Sequence, residues 1–77
     1  TTTLEVQPTI TAKGAPIRVK APNHGDMDII GNVGVNMGTQ YLQEGENTVT
    51  VPTVAGIYLL HLTTEDGNQY VQKIIVY

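Results

Sequence analysis

Gly56-Ile57-Tyr58-Leu59-Leu60-His61-Leu62-Thr63, Glu65-Asp66-Gly67-Asn68 and Gln69-Tyr70-Val71-Gln72-Lys73-Ile74-Ile75-Val76-Tyr77 read together as one β-hairpin that runs to the last residue. The middle segment supplies the reversal. Asp and Asn side chains bond their own backbone, and Gly accepts positive φ without a Cβ clash. In the first arm Tyr58, Leu60 and Leu62 point one way and Ile57, Leu59 and His61 the other, so both faces are largely apolar. In the second arm Val71, Lys73, Ile75 and Tyr77 alternate with Tyr70, Gln72, Ile74 and Val76. Such strands are central in a sheet, or have one face covered by a neighbouring domain or partner. Chain ends usually fray, so a β-branched run at the terminus implies that this strand is packed into the fold.

Working outward from the hairpin, period-two alternation places further strands near Leu4 to Gln7, Ala15 to Lys20, Met27 to Ile30, Val33 to Asn36, Thr39 to Leu42 and Asn47 to Val51. The Val33 and Thr39 segments can be one bulged strand. Lys13-Gly14, Pro22-Asn23-His24-Gly25, Gln43-Glu44-Gly45-Glu46 and Pro52-Thr53-Val54-Ala55 separate them as turns. Short strands at this spacing predict an all-β fold, an immunoglobulin-like antiparallel β-sandwich of about seven strands. Residues 4–77 form the domain, and Thr1, Thr2 and Thr3 read as a linker too polar to join a core.

The chain has 77 residues, which is room for one domain. It has no Cys, so neither disulfides nor thiolate zinc reinforce it. Net charge is −3 with only four basic residues, Lys13, Arg18, Lys20 and Lys73, which argues against a nucleic-acid partner. Charged residues make up 14%, against about 25% in a typical domain. That balance favours an extracytoplasmic module over a cytosolic enzyme. No run approaches the roughly 20 apolar residues of a membrane helix, and no basic-plus-apolar leader opens the chain. Because it begins on Thr1, it is expected to be a fragment or a processed product of a longer protein, with any export signal upstream.

The chain contains no Ser as well as no Cys, so the usual nucleophile, base and orienter sets cannot be assembled. His24 falls in a turn and His61 on a strand surface, and no catalytic residue or cofactor is expected. Asp26 and Asp28, one residue apart, offer oxygens to a hard cation, but calcium takes about six to eight, so a solvated face is the plainer reading and no metal is assigned. Gly31-Asn32-Val33-Gly34-Val35-Asn36-Met37-Gly38 is not a phosphate loop, and a β-bulge or a pair of tight turns accounts for it. Lys73 interrupts an apolar run. A buried ammonium is costly, so it points outward or meets a carboxylate, and it can keep an edge strand from pairing indiscriminately.

In order, Gly56-Ile57-Tyr58, an apolar strand, Asp66-Gly67 and Gln72-Lys73-Ile74-Ile75-Val76 at the C-terminus resemble the C-terminal sorting domain of type IX secretion cargo. Val6-Gln7-Pro8, Ile17-Arg18-Val19, Met27-Asp28-Ile29-Ile30-Gly31 and Gly45 to Val51 match its earlier strands more loosely, with Thr9 where that family carries Asn. The resemblance implies a non-catalytic secretion signal at Gly56, Tyr58, Asp66, Gly67, Lys73, Ile74, Ile75, Val76 and Tyr77. Lys73 then contacts the secretion machinery. Such a domain carries its parent cargo from the periplasm across the outer membrane to the surface or the exterior. A surface sortase of the cysteine-peptidase type usually cuts near its N-terminal border, here Thr1 to Thr3.

As a mechanism, an exposed C-terminal strand adding to a receptor sheet is expected. An uncovered edge can likewise pair with a second copy in a homodimer. The alternative is an accessory immunoglobulin-like module that binds carbohydrate or protein, although the chain has no Trp or Phe and only Tyr41, Tyr58, Tyr70 and Tyr77 for stacking. A third reading is a spacer in a multidomain surface protein, which, unlike a sorting signal, need not be the last domain.

Overall fold

The computed structural model describes residues 2–31, 34 and 36–77. Among the described residues nine strands follow in order: β1 Thr2–Thr3, β2 Glu5–Gln7, β3 Ile10–Thr11, β4 Pro16–Ala21, β5 Gly25–Gly31, β6 Asn36–Leu42, β7 Gly45–Thr50, β8 Gly56–Thr64 and β9 Gln69–Val76. Alternation shows directly in burial. Along β4, Ile17, Val19 and Ala21 turn inward while Arg18 and Lys20 remain exposed. Two sheets face each other across the core, one ordered β2-β4-β7 and the other β1-β9-β8-β5-β6, with β3 also on β9. Over the described residues the fold is an all-β, immunoglobulin-like sandwich of about eight strands, with β1 to β3 as an interrupted first strand shared between the sheets.

The interrupted first strand departs from the sequence expectation. Thr2–Thr3, read as linker, pair in parallel with Tyr70 and Val71. The chain then crosses to the small sheet, where Glu5, Val6 and Gln7 oppose Lys20, Val19 and Arg18. It returns as Ile10–Thr11 beside Ile75 and Val76. A pair of two-residue ladders carries no periodic pattern to detect, and their place is fixed by distant partners rather than local preference. Thr1 lies outside the described residues.

Strand β9 is therefore interior, bonded to β8 on one flank and to β1 and β3 on the other. This corrects the expectation of an exposed C-terminal edge that adds to a receptor sheet. Leu4 N–H donates to Val71 C=O at 3.1 Å and Ile75 N–H to Thr9 C=O at 2.7 Å. The last residue is tied twice, Tyr77 N–H to Thr11 C=O at 3.0 Å and Lys13 N–H to Tyr77 C=O at 2.9 Å. The parallel registers skip Gln72 to Ile74, and there the Gln72 side-chain amide donates to Lys73 C=O at 2.8 Å.

The segment at Thr39 belongs to a single strand, β6, whose register against β5 shifts between Ile29 and Ile30, leaving Met37 as the extra residue of a bulge. Val33 and Val35 of the expected Val33 segment lie outside the described residues. The core joins Leu4, Ile17, Val19, Met27, Leu42, Val49, Leu60, Leu62 and Ile74, each almost fully buried. A domain of this size holds a net stability of only about 4–11 kcal/mol, so each of these side chains matters. Gly25 marks a close crossing: a Cβ there would fall 2.1 Å from Thr63 O, so β5 passes the end of β8 only without a side chain.

Candidate recognition surface on the terminal hairpin

The turn that reverses the hairpin is locked by its own side chains. Thr64 N–H donates to Asn68 C=O at 2.9 Å, Gly67 N–H donates to Thr64 C=O at 3.0 Å, and Gly67 sits at φ 88°. The Thr64 hydroxyl donates to the Asp66 carboxylate, and Asn68 Nδ2 donates to the same group at 3.1 Å. The Thr64 hydrogen bond is the main reason that the Asp66 carboxyl lies below its ordinary value of 3.8. At the far end of β8, Tyr58 is buried and its hydroxyl donates to Val54 C=O at 2.6 Å, pinning the loop that enters the strand. Gly56 lies beneath that ring, where a Cβ would meet Tyr58 Cε2 at 3.8 Å.

Between these anchors the two arms divide their residues. Tyr58, Leu60, Leu62, Ile74 and Val76 enter the core, whereas Ile57, Leu59, Lys73, Ile75 and Tyr77 remain exposed. Cross-strand register assembles the exposed set. Ile75 lies between Ile10 and Ile57, and Leu59 lies between Lys73 and Ile30. Ile10, Ile57, Leu59 and Ile75 are 59%, 44%, 41% and 38% exposed, an apolar patch on the outer face of the large sheet with Lys73 beside it. The neighbouring row is polar beyond Val71: Val71 pairs with His61, His61 with Asp28, and Asp28 with Thr39.

The residues singled out in the sequence thus fall in three places. Gly56, Tyr58 and the strand from Lys73 to Tyr77 come together, since Gly56 opposes Val76 and Tyr58 opposes Ile74. Asp66 and Gly67 lie at the other end of the hairpin, about 27 Å away for a nine-residue strand. Thr2 and Thr3 lie on the flank of β9 near its start, at Tyr70 and Val71, on the side of the hairpin that leads from the turn. Ile74 and Val76 are out of reach of a partner, whereas Lys73, Ile75 and Tyr77 of the last strand and Asp66 of the turn present side chains to solvent. Sequence reasoning had set Ile57 and Leu59 on one face, but it missed Ile10, whose strand it did not find.

His24 and Tyr41 approach with ring centroids 6.3 Å apart, and His61 Nε2 lies 3.3 Å from Gln69 Oε1. Asp26 and Asp28 do share a face, and the Asp28 carboxylate accepts a hydrogen bond from the Thr39 hydroxyl at 2.7 Å. Among the described residues no group of three or more His, Asp or Glu side chains is arranged to hold a metal ion. Among the described residues no helix is long and apolar enough to cross a membrane. Two surface depressions lie on the small sheet, one lined by Glu5, Gln7, Arg18, Lys20 and Glu46, the other by Pro8, Pro16, Ile17 and Thr48 with Gln7 and Arg18. No family model matches the chain, and no curated protein matches it significantly in sequence.

Proposed function

We propose that this domain is the C-terminal sorting signal of a larger exported protein, read as a folded β-sandwich by an outer-membrane secretion apparatus of the type IX kind. The observation that carries the reading is the division of labour within the terminal hairpin. The residues that resemble the family's closing motif build the core with one set of side chains and expose Lys73, Ile75 and Tyr77 with the other. Recognition then acts on the outer face, through apolar contact at Ile57, Leu59 and Ile75 and charge at Lys73, because β9 is flanked by strands on both sides, with only Gln72 to Ile74 left between β1 and β3. The domain is substrate and not catalyst. Its cargo passes through the periplasm, and a surface sortase cuts near Thr1 to Thr3.

The test is a reporter fused ahead of Thr1, with secretion compared between the parent domain and Lys73→Ala or Leu59→Gln. Both positions are exposed, so thermal melting and circular dichroism should stay close to the parent while reporter accumulates in the periplasm. Normal secretion of both folded variants would refute recognition through this face. Deleting Ile74 to Tyr77 is less informative, since it removes the core residues Ile74 and Val76 and unfolds the sandwich.

A second reading, an accessory module or spacer of a multidomain surface protein, draws on the same exposed patch as a place for a neighbouring domain to pack. The two readings separate on position. A parent polypeptide that continues past Tyr77 with further domains favours the module.

A further inference from the structure

Among the described residues the large sheet ends on β6, which pairs only with β5. Its main-chain orientation follows from the ladder. Glu65 N–H donates to His24 C=O, one step outside the Gly25↔Thr64 pair, so the even residues of β5 bond toward β8 and the odd residues toward β6. Gly25 and Met27 oppose Leu42 and Gln40, which turns the main-chain groups of Thr39 and Tyr41 outward. Residues 36–41 are all exposed, and the whole strand Asn36–Leu42 holds no charged residue and no proline. Natural edges are usually blunted by such residues. The Met37 bulge interrupts the strand only at its start, leaving Gly38–Leu42 regular.

We propose that β6 is a self-pairing edge, through which two copies of this domain join antiparallel about a two-fold axis at Gln40. In that register Thr39 opposes Tyr41 of the second copy and Tyr41 opposes its Thr39, giving four main-chain hydrogen bonds. Gln40 then opposes Gln40 across a close, non-hydrogen-bonded pair, where an amide is complementary to itself as donor and acceptor. No like charges meet across the seam. A second copy fits this edge because each position finds an uncharged counterpart in its own sequence, and the joined sheet runs without a break through ten strands, five from each copy. The inference is independent of the sorting reading.

Sedimentation equilibrium of the 77-residue chain from micromolar to millimolar concentration tests it. A monomer–dimer equilibrium is expected, tightening with added salt because each copy carries −3. Amide exchange at Thr39 and Tyr41 should slow as concentration rises. Thr39→Pro removes an outward N–H and spares the main-chain ladder to β5, giving up only the hydroxyl bond to Asp28 there, and should weaken association about thirtyfold through two lost hydrogen bonds across the seam. Gln40→Lys should also weaken self-association, and mixing it with Gln40→Glu should restore a heterodimer. A chain that stays monomeric at millimolar concentration overturns the proposal. So does a dimer that is indifferent to both substitutions while melting shows each variant folded, since that dimer uses another surface, the apolar hairpin face first among them.

Discussion

The outer faces of the two sheets are set by the same alternation and carry opposite chemistry. On the small sheet the outward residues form rows of Glu5, Lys20 and Glu46, then Gln7, Arg18 and Thr48. On the hairpin side the outward rows hold Ile10, Ile75 and Ile57, then Lys73, Leu59 and Ile30. Both sheets already bury their inward residues in a common core, so the outward aliphatics add nothing to it. Burial of apolar surface is worth about 25 cal/mol per Å² only once something covers it. A face meant for water takes charges and amides, as the small sheet does. The hairpin face is finished like an interface.

The contrast is sharpest within β8 itself, where neighbouring leucines point opposite ways. Leu60→Ala should cost about 2–5 kcal/mol, because Leu60 is fully buried and a cavity remains. Leu59→Ala should cost far less, and equal losses in thermal or urea melts would erase the distinction between the faces. Next in size, Tyr58→Phe keeps the buried ring and removes its bond to Val54 C=O, for about 1 kcal/mol. That corresponds to a melting shift of about 4–8 °C in a domain this small. No measurable shift would free the loop before β8 from its assigned anchor.

Smaller effects belong to the charged face. Arg18→Gln and Lys20→Gln lie on exposed positions and should each stay within about 0.5 kcal/mol of the parent. Either one blocking secretion while folded would move recognition to the small sheet. The smallest effect is the titration of Asp66, fully exposed in the hairpin turn. Its folded-state carboxyl lies below the ordinary 3.8, so its stabilisation is complete above that pH and is lost as pH falls below 3.8 through the folded value. Comparing melts of the parent and Asp66→Asn in that window isolates it, the variant losing less on acidification.

The hairpin and its turn were legible in the sequence because each rests on local chemistry: alternation from Ile57 to Leu62, an Asp-Gly pair at the reversal, and a charge at Lys73 that would be costly to bury. The sandwich class followed from the number and spacing of short strands. What could not be read was set by distant partners. Nothing near Ile10 announces that it will lie beside Ile75, and nothing near Gly25 says that its missing Cβ leaves room for the Thr63 carbonyl. For the same reason the sequence leaves β9 readable both as a packed strand and as an exposed one. Its covering strands are two pairs of residues from the other end of the chain. The exposed face was half legible, since two apolar sides on β8 implied a covering, while the Ile10 contribution required the fold.

Those two fragments also set how the domain bears a load. Thr2 lies beside Tyr70 and Tyr77 is bonded across Thr11 and Lys13, with β1 and β3 parallel to β9, so the chain leaves the sheet from opposite poles. Tension between the two ends runs along the ladders and strains their bonds together, instead of opening them one by one from a hairpin tip. The shortest elements of the sandwich thereby become its mechanical clasp.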